Sequence, residues 1–266
     1  MSTLPDILEK IVARRREHFA AVQKPDERPD FFPRVSTDFI ERGDHPFLRA
    51  LAAKKGEAVI AEIKMGSPRL GSLVGTFDPL EQARAYARGG AAALSVVVEP
   101  DFFFGSYELL AECAAASGLP AIAKDFVVHE GQLAIAASRG ASAILLVAAL
   151  YEEQELRRWA SLARRRGLVP LVELHDEDDR RKLAFGRWEV VGVNNRNLRT
   201  FEVELENSLE LLPRLPKESL KVAESGIHSR EDLQRLQEAG FDAYLIGESL
   251  VTSGDPVAKL NELLGR

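Results

Sequence analysis

The sequence predicts an α/β fold: a (β/α)8 TIM barrel with residues 1–57 as an N-terminal helical extension, the whole of 1–266 forming one barrel domain. Two observations lead there. Eight short apolar runs alternate with helical segments over about 200 residues, the span of one such barrel. Five of the runs also end in charged or amide side chains: VIAEIK at Glu62 and Lys64, AIAK at Lys124, LVPLVE at Glu173, VVGVNN at Asn194 and Asn195, and KVAES at Glu224 and Ser225. Apolar runs of four to six residues read as strands buried on both faces. A sheet interior repels charge, so one polar end could be an accident of packing. Five suggest parallel strands whose C-terminal ends converge on one site.

The elements follow in chain order. Leu4, Ile7, Leu8, Ile11, Val12, Phe19 and Val22 make one stripe of an amphipathic helix. The loop KPDERPDFFPR leads to a second helical piece, HPFLRALAA. An apolar stripe needs a partner, so these helices are expected to cover one mouth of the barrel and line part of its site. Strands are expected at 58–64, 92–98, 120–124, 142–147, 169–173, 189–193, 220–224 and 242–246. Between them lie helical segments such as PLEQARAYARGG, SYELLAECAAASG and QELRRWASLARRRG, several closed by the Gly that often stops a helix. Ser229 and Asp232 form the S-x-x-D signal of a capping box. An open doubly wound sheet is the alternative. The first strand–helix turn, IKMGSPRLG, lacks the G-x-G-x-x-G pattern such a sheet would favour.

Composition narrows the function. A formal charge of -6 argues against a nucleic-acid or anionic-membrane surface. The basic runs Arg14–Arg16 and Arg164–Arg166 fall on helical patterns, as solvated faces do. One cysteine, Cys113, excludes an intramolecular disulfide and a multi-cysteine metal site. The five histidines have no ligand spacing, and His175 reads as a loop residue two places after Glu173. Metal catalysis is therefore not expected. No apolar run approaches the ~20 residues that span a bilayer, and MSTLPDILEK has no apolar signal segment. A cytoplasmic protein is expected.

Chemistry should sit where strands end and the following loops begin. Glu62 and Lys64 are two apart and point the same way, while Ile63 faces the helices. They would share the interior with Lys124, Glu173, Asn194 and Glu224. Two lysines among three glutamates suit acid–base work, because neighbours and desolvation drive like groups to different pKa values. A structural salt-bridge network is the bland alternative. A Schiff-base role for Lys64 or Lys124 stays open. Gly226 and Gly247, after the seventh and eighth strands, can turn backbone N–H groups toward a phosphate, with Ser67 and Ser225 adding hydroxyls and Glu248 next in line. Phe103 and Phe126 could form a slot for a flat ring. Arg196 could hold a carboxylate.

These segments together resemble the indole-3-glycerol phosphate synthase family along nearly the whole chain. ILEKIVARRRE is similar to its N-terminal helix, VIAEIKMGSP to its E-x-K-x-x-S-P motif and AKDF to its K-D-F. LVELHDE, GVNNRNLRTFEVELE and AESGI resemble its fifth, sixth and seventh strand motifs. The resemblance implies a substrate, 1-(2-carboxyphenylamino)-1-deoxyribulose 5-phosphate, closed to an indole with loss of carbon dioxide and water. It implies no cofactor or metal, and Lys124 as general acid in ring closure. On physical grounds, burial and nearby cations would match such a lysine to neutral pH. Glu173, Lys64 and Glu62 would serve dehydration. Asn194, Arg196 and Glu224 would orient the anthranilate part and the acid, and Ser67, Gly226, Gly247 and Lys64 would hold phosphate. A monomer is implied, with association with other tryptophan-pathway enzymes left open. Five positions depart from the family pattern. Met65–Gly66 replace a polar or basic pair, Val98 a threonine, Phe104 a polar residue, and Ala123 an arginine. A non-catalytic phosphate-binding barrel would lack some of the charged strand ends; a phosphosugar isomerase would use another acid–base pair.

Overall fold

The computed structural model describes residues 6–20, 40, 43–198 and 200–266. Eight parallel strands close on themselves: β1 (Ala58–Ile63), β2 (Ala93–Val97), β3 (Ala121–Lys124), β4 (Ala143–Val147), β5 (Val169–Leu174), β6 (Val190–Asn194), β7 (Leu220–Glu224) and β8 (Ala243–Ile246). β8 pairs back onto β1, Ala58 opposite Ala243, so the open-sheet alternative is excluded. Each strand lies within one residue of the run expected for it.

Alternation along each strand sorts the side chains into two cores. Val59, Ala61 and Ile63 of β1 face the helices, in a cluster with Leu94, Val172, Val191 and Tyr244. Ala58 and Ile60 face the barrel axis with Ile122, Leu171, Val222 and Leu245. The next inward positions up the same strands are Glu62, Lys124, Glu173, Glu224 and Gly247. A barrel interior filled by apolar layers thus ends in a charged layer at the C-terminal end.

The helices run α1 (Asp6–Ala20), α2 (Pro46–Ala53), α3 (Pro79–Arg88), α4 (Tyr107–Ser117), α5 (Glu130–Ser138), α6 (Glu153–Arg165), α7 (Glu177–Arg181), α8 (Glu206–Leu211), α9 (Arg230–Ala239), α10 (Glu248–Val251) and α11 (Pro256–Leu264). Their starts are written in the sequence. Asp78 accepts hydrogen bonds from Leu80 N and Glu81 N ahead of Pro79, and Ser106 accepts one from Leu109 N. Ser229 and Asp232 make the expected reciprocal box. His129 and Gln132 make a second box that the sequence reading did not single out. Gly118 and Gly240 stop α4 and α9 in the left-handed conformation. Cys113 is buried in α4, and burial pushes its thiol up to about 12.

The two N-terminal helices do not share one mouth. In α2, Phe47, Leu48 and Leu51 pack on the first residues of the strands, among them Ala58, Ala143 and Val169. His45, at its N-cap, lies 3.1 Å from Gly167 O just before β5. So α2 plugs the N-terminal end. α1 lies across the opposite end, where Ile7, Leu8 and Ile11 line the cavity at the strand tips. Leu4, Val22 and the loop KPDERPDFFPR lie outside the described residues.

A buried ion pair fixes α1 in place. Arg15 donates to Asp125 Oδ2 at 2.5 Å, with the two side chains 3% and 0% exposed. Tyr107 Oη and Gln132 Nε2 donate to the same oxygen at 2.6 and 2.9 Å, and Phe126 N donates to Oδ1 at 2.8 Å. Asp125 directly follows Lys124, so the helix is tied to the residue beside the charged layer. Removing one partner of a buried pair strands the other charge in low dielectric. Arg15→Met should therefore lower unfolding free energy by about 3 kcal/mol, read by urea denaturation. Adding Asp125→Asn should restore much of the loss. A single variant as stable as the parent would show that the pair holds nothing.

Candidate active site at the C-terminal mouth

The strand tips enclose a cavity of about 200 Å³. All the residues expected at the site line it except Glu224. Glu224 sits beneath, its side chain 1% exposed, and meets the cavity through Lys124. Lys124 Nζ is the hub. It lies 3.4 Å from Glu224 Oε2, 3.5 Å from Glu62 Oε2 and 3.8 Å from Glu173 Oε2. Lys64 Nζ donates to the other oxygen of Glu62 at 2.8 Å.

This geometry sets the proton positions. Burial alone would strip the proton from Lys124, but Glu224, Glu62 and Glu173 more than offset it and hold the ammonium above its ordinary range. The expectation of a lysine tuned toward neutral pH by nearby cations is thus corrected, because the nearest charges are carboxylates. Burial raises Glu62, yet Lys64 and Lys124 bring it below the usual carboxylate range. Glu173 and Glu224 interact strongly and diverge. Burial and the charge of Glu173 push Glu224 up. For Glu173, burial is outweighed by His175 and Lys124, and its carboxyl is held down. The same layer therefore pushes one carboxyl up and holds its neighbour down.

The walls are divided by chemistry. Phe103 and Phe126 stand with ring centroids 6.0 Å apart and planes 35° apart, beside Val97, Leu145, Val147 and Leu245. Glu99, which the sequence reading passed over, orders the Phe103 loop by accepting from Asp101 N, Phe102 N and Phe103 N. On the other side, Asn194 Oδ1 accepts from Arg196 N at 3.0 Å. Arg196 in turn reaches Glu248 Oε2 at 3.5 Å, and Arg69, also unforeseen, pairs with the same carboxylate. Ser67 Oγ accepts from Leu70 N, shaping the β1 loop. Ser225 and Gly226 both take positive φ, 66° and 78°. A side chain on Gly226 would run into Val203, so only glycine fits.

Two further glycines make room for the charged layer. A Cβ at Gly192 would stand 2.0 Å from Glu224 Oε1, and one at Gly247 would stand 2.4 Å from Glu62 Oε1. Two of the departures noted in the sequence also meet. A Cβ at Gly66 would lie 2.4 Å from Phe104 Cδ2, so the Phe104 ring occupies the space that a side chain at position 66 would need.

His175 had read as a plain loop residue. It does follow the end of β5, but its side chain is only 8% exposed, with Nε2 3.3 Å from Glu173 Oε1 and Nδ1 3.5 Å from Asp179 Oδ2. A single histidine after a strand carries no spacing signal, so only the i, i+2 relation to Glu173 could have flagged it.

The family profile for indole-3-glycerol phosphate synthase matches residues 8–263. The chain belongs to this family. It is 41% identical over 266 residues to the indole-3-glycerol phosphate synthase of Koribacter versatilis, covering 99% of both chains. Identity to that of Variovorax paradoxus is 40% over 261 residues, covering 95% of this chain and 97% of the relative. Among solved structures, a mutant tryptophan synthase alpha-subunit from Pyrococcus furiosus superposes with a TM-score of 0.62 over 80% of this chain and 99% of that one. At 18% identity, that likeness speaks for the barrel alone.

Within the indole-3-glycerol phosphate synthase family frame, Gly192 is a test of the charged layer. Gly192→Ala should keep the barrel, by circular dichroism, because only a methyl is added. Its Cβ must displace the Glu224 carboxylate, so turnover should fall roughly tenfold or more, the scale of a misplaced reacting group. Undiminished turnover would show that the Glu224 position is immaterial.

Proposed function

We propose that this chain is an indole-3-glycerol phosphate synthase acting on 1-(2-carboxyphenylamino)-1-deoxyribulose 5-phosphate, with Lys124 as the acid of ring closure. The observation that carries the reading is the Lys124 ammonium, set among three carboxylates at the floor of an apolar, aromatic-walled cavity. The substrate is an aromatic ring with a carboxylate, joined to a ketone and a phosphate. Phe103 and Phe126 would flank the ring. Arg196, with Asn194 fixing its backbone, would face the carboxylate. Ser67, Lys64 and the backbone N–H groups at Ser225, Gly226 and Gly247 would face the phosphate.

The steps balance as follows. The ring carbon bearing the carboxylate attacks the ketone carbon, and the carbonyl oxygen takes a proton from Lys124. The C–CO2 bond then breaks, and its electron pair restores the aromatic ring. Dehydration expels the new hydroxyl as water and removes a hydrogen from the adjacent carbon, leaving the indole double bond. Lys64, held in place by the Glu62 carboxylate, would protonate the departing hydroxyl, and Glu173, held ionised, would take the proton. A Lys124 that starts charged suits the first step: it donates when the oxygen becomes strongly basic in the transition state, where differential binding accelerates. Glu224 would act from beneath by fixing Lys124.

Lys124→Ala should lower turnover by roughly a hundredfold or more, the scale for a lost general acid. Substrate affinity should change far less, because the aromatic and phosphate contacts remain. Lys124→Arg should not rescue, since the larger planar guanidinium cannot take the place of a compact ammonium among three carboxyl groups. The assay follows indole fluorescence on adding the substrate, with folding checked by circular dichroism. Wild-type protein that binds the substrate without forming indole would make this a binding barrel. An alanine variant as fast as wild type would make Lys124 structural.

A further inference from the structure

We propose that His175 is a positioning residue for the reaction: clamped between Glu173 and Asp179, it holds the Glu173 carboxylate against Lys124. This rests on the reading of Glu173 as a reacting carboxylate. The geometry is a chain of alternating charge running outward from the barrel floor. Lys124 Nζ lies 3.8 Å from Glu173 Oε2, Glu173 Oε1 lies 3.3 Å from His175 Nε2, and His175 Nδ1 lies 3.5 Å from Asp179 Oδ2. Lys182 Nζ closes it, 3.0 Å from Asp179 Oδ1 and 2.9 Å from Ala148 O. Both ring nitrogens thus face carboxylates at ion-pair distance, and neither makes a hydrogen bond among the described residues. An imidazole cannot sit between two carboxylates as a neutral ring without turning a lone pair on one of them. As an imidazolium it faces both with N–H.

The clamp is built from backbone as well. His175 N donates to Asp179 Oδ2 at 3.1 Å, and Asn207 Nδ2 donates both to His175 O and to Asn194 O. Asn207 therefore joins the loop after β5 to the end of β6.

Every charge near the ring favours the cation, or is balanced nearer to another group. On the floor side stand Glu173 and, behind it, Lys124 paired with Glu224. On the α7 side stands Asp179, with Lys182 beyond it. A second pocket that His175 borders is lined by the carboxylates of Asp176, Asp178, Glu202, Glu204, Glu206 and Glu210. Burial disfavours the imidazolium, but Asp179 and Glu173 outweigh it and lift His175 to about 9.

The sign of the pH effect follows. Glu173 is held below its ordinary range, so it is ionised until the pH falls well into the acid. Removing the positive charge beside it raises the pH at which it takes up a proton. The variant His175→Gln keeps an N–H toward Glu173 but carries no charge. In single-turnover indole formation its acid limb should move up by about one pH unit, the scale for losing an opposite charge at this distance. Its rate above the limb should fall severalfold, because Glu173 is less well held, while its KM should stay near wild type. A merely structural histidine would lower yield or stability and leave the limb in place. Stability supplies a second readout. A histidine raised from 6.5 to about 9 stabilises fully below 6.5 and loses that contribution as pH rises through about 9. The stability gap between wild type and His175→Gln should therefore be widest below pH 6.5 and close by pH 9. Nitrogen NMR of the wild-type imidazole, which needs neither variant nor turnover, should show both ring nitrogens protonated at pH 7.5. A neutral ring at that pH, or an unmoved acid limb, overturns the proposal. Wild-type protein that forms no indole overturns the underlying functional reading instead.

Discussion

One ammonium group organises this molecule. Lys124 stands at the level where the apolar filling of the barrel ends, and three carboxylates from β1, β5 and β7 lean toward it. Each would be untenable alone at that depth, because an unpaired buried charge costs several kcal/mol. Together they are tolerated, and their presence dictates much around them. Gly192 and Gly247 lack side chains where the carboxylates need room. Asp125, next along the chain, is tied by Arg15 to the covering helix. The cover, the floor and the charged layer are therefore one connected construction.

The same layer explains why proton positions differ among similar groups. Four carboxyls lie within three links of Lys124: Glu62, Glu173, Glu224 and, through His175, Asp179. Glu62 and Glu173 each have a second cation, Lys64 and His175 respectively, and both are held ionised. Glu224, buried beside the charge of Glu173 and with only Lys124 in ion-pair contact, is the one pushed up. The number of cationic neighbours, more than depth, decides which carboxyl keeps its proton.

Much of this was legible in the chain. Strands buried on both faces leave continuous apolar runs, so a charged residue at the end of such a run stands out, and Glu62, Lys124, Glu173 and Glu224 all declared themselves that way. Residues placed by loops did not. His175 and Arg69 act through partners that no local pattern announces, Asp179 and Glu248. Glu99 works by folding a loop back on itself, which leaves no periodic trace. The separation of α2 from α1 was hidden too, because an amphipathic stripe says that a helix is covered but not by which end of the barrel. The lysine's proton affinity was misjudged from sequence for a related reason. Order along the chain gave the two lysines, but only the register of β1, β5 and β7 showed that carboxylates stand closest to Lys124.

The contact between Gly66 and Phe104 carries a different kind of consequence. The ring fills the volume a side chain at 66 would occupy. A larger residue at 66 would collide with it, and a smaller one at 104 would leave a hollow beside the β1 loop. The backbone carbonyl of Gly71 stands 2.6 Å from the same point, so a smaller residue at 104 would not by itself admit a side chain at 66. Position 66 is thus closed from two sides, by a ring and by the main chain of its own loop, and any substitution there must move the loop itself.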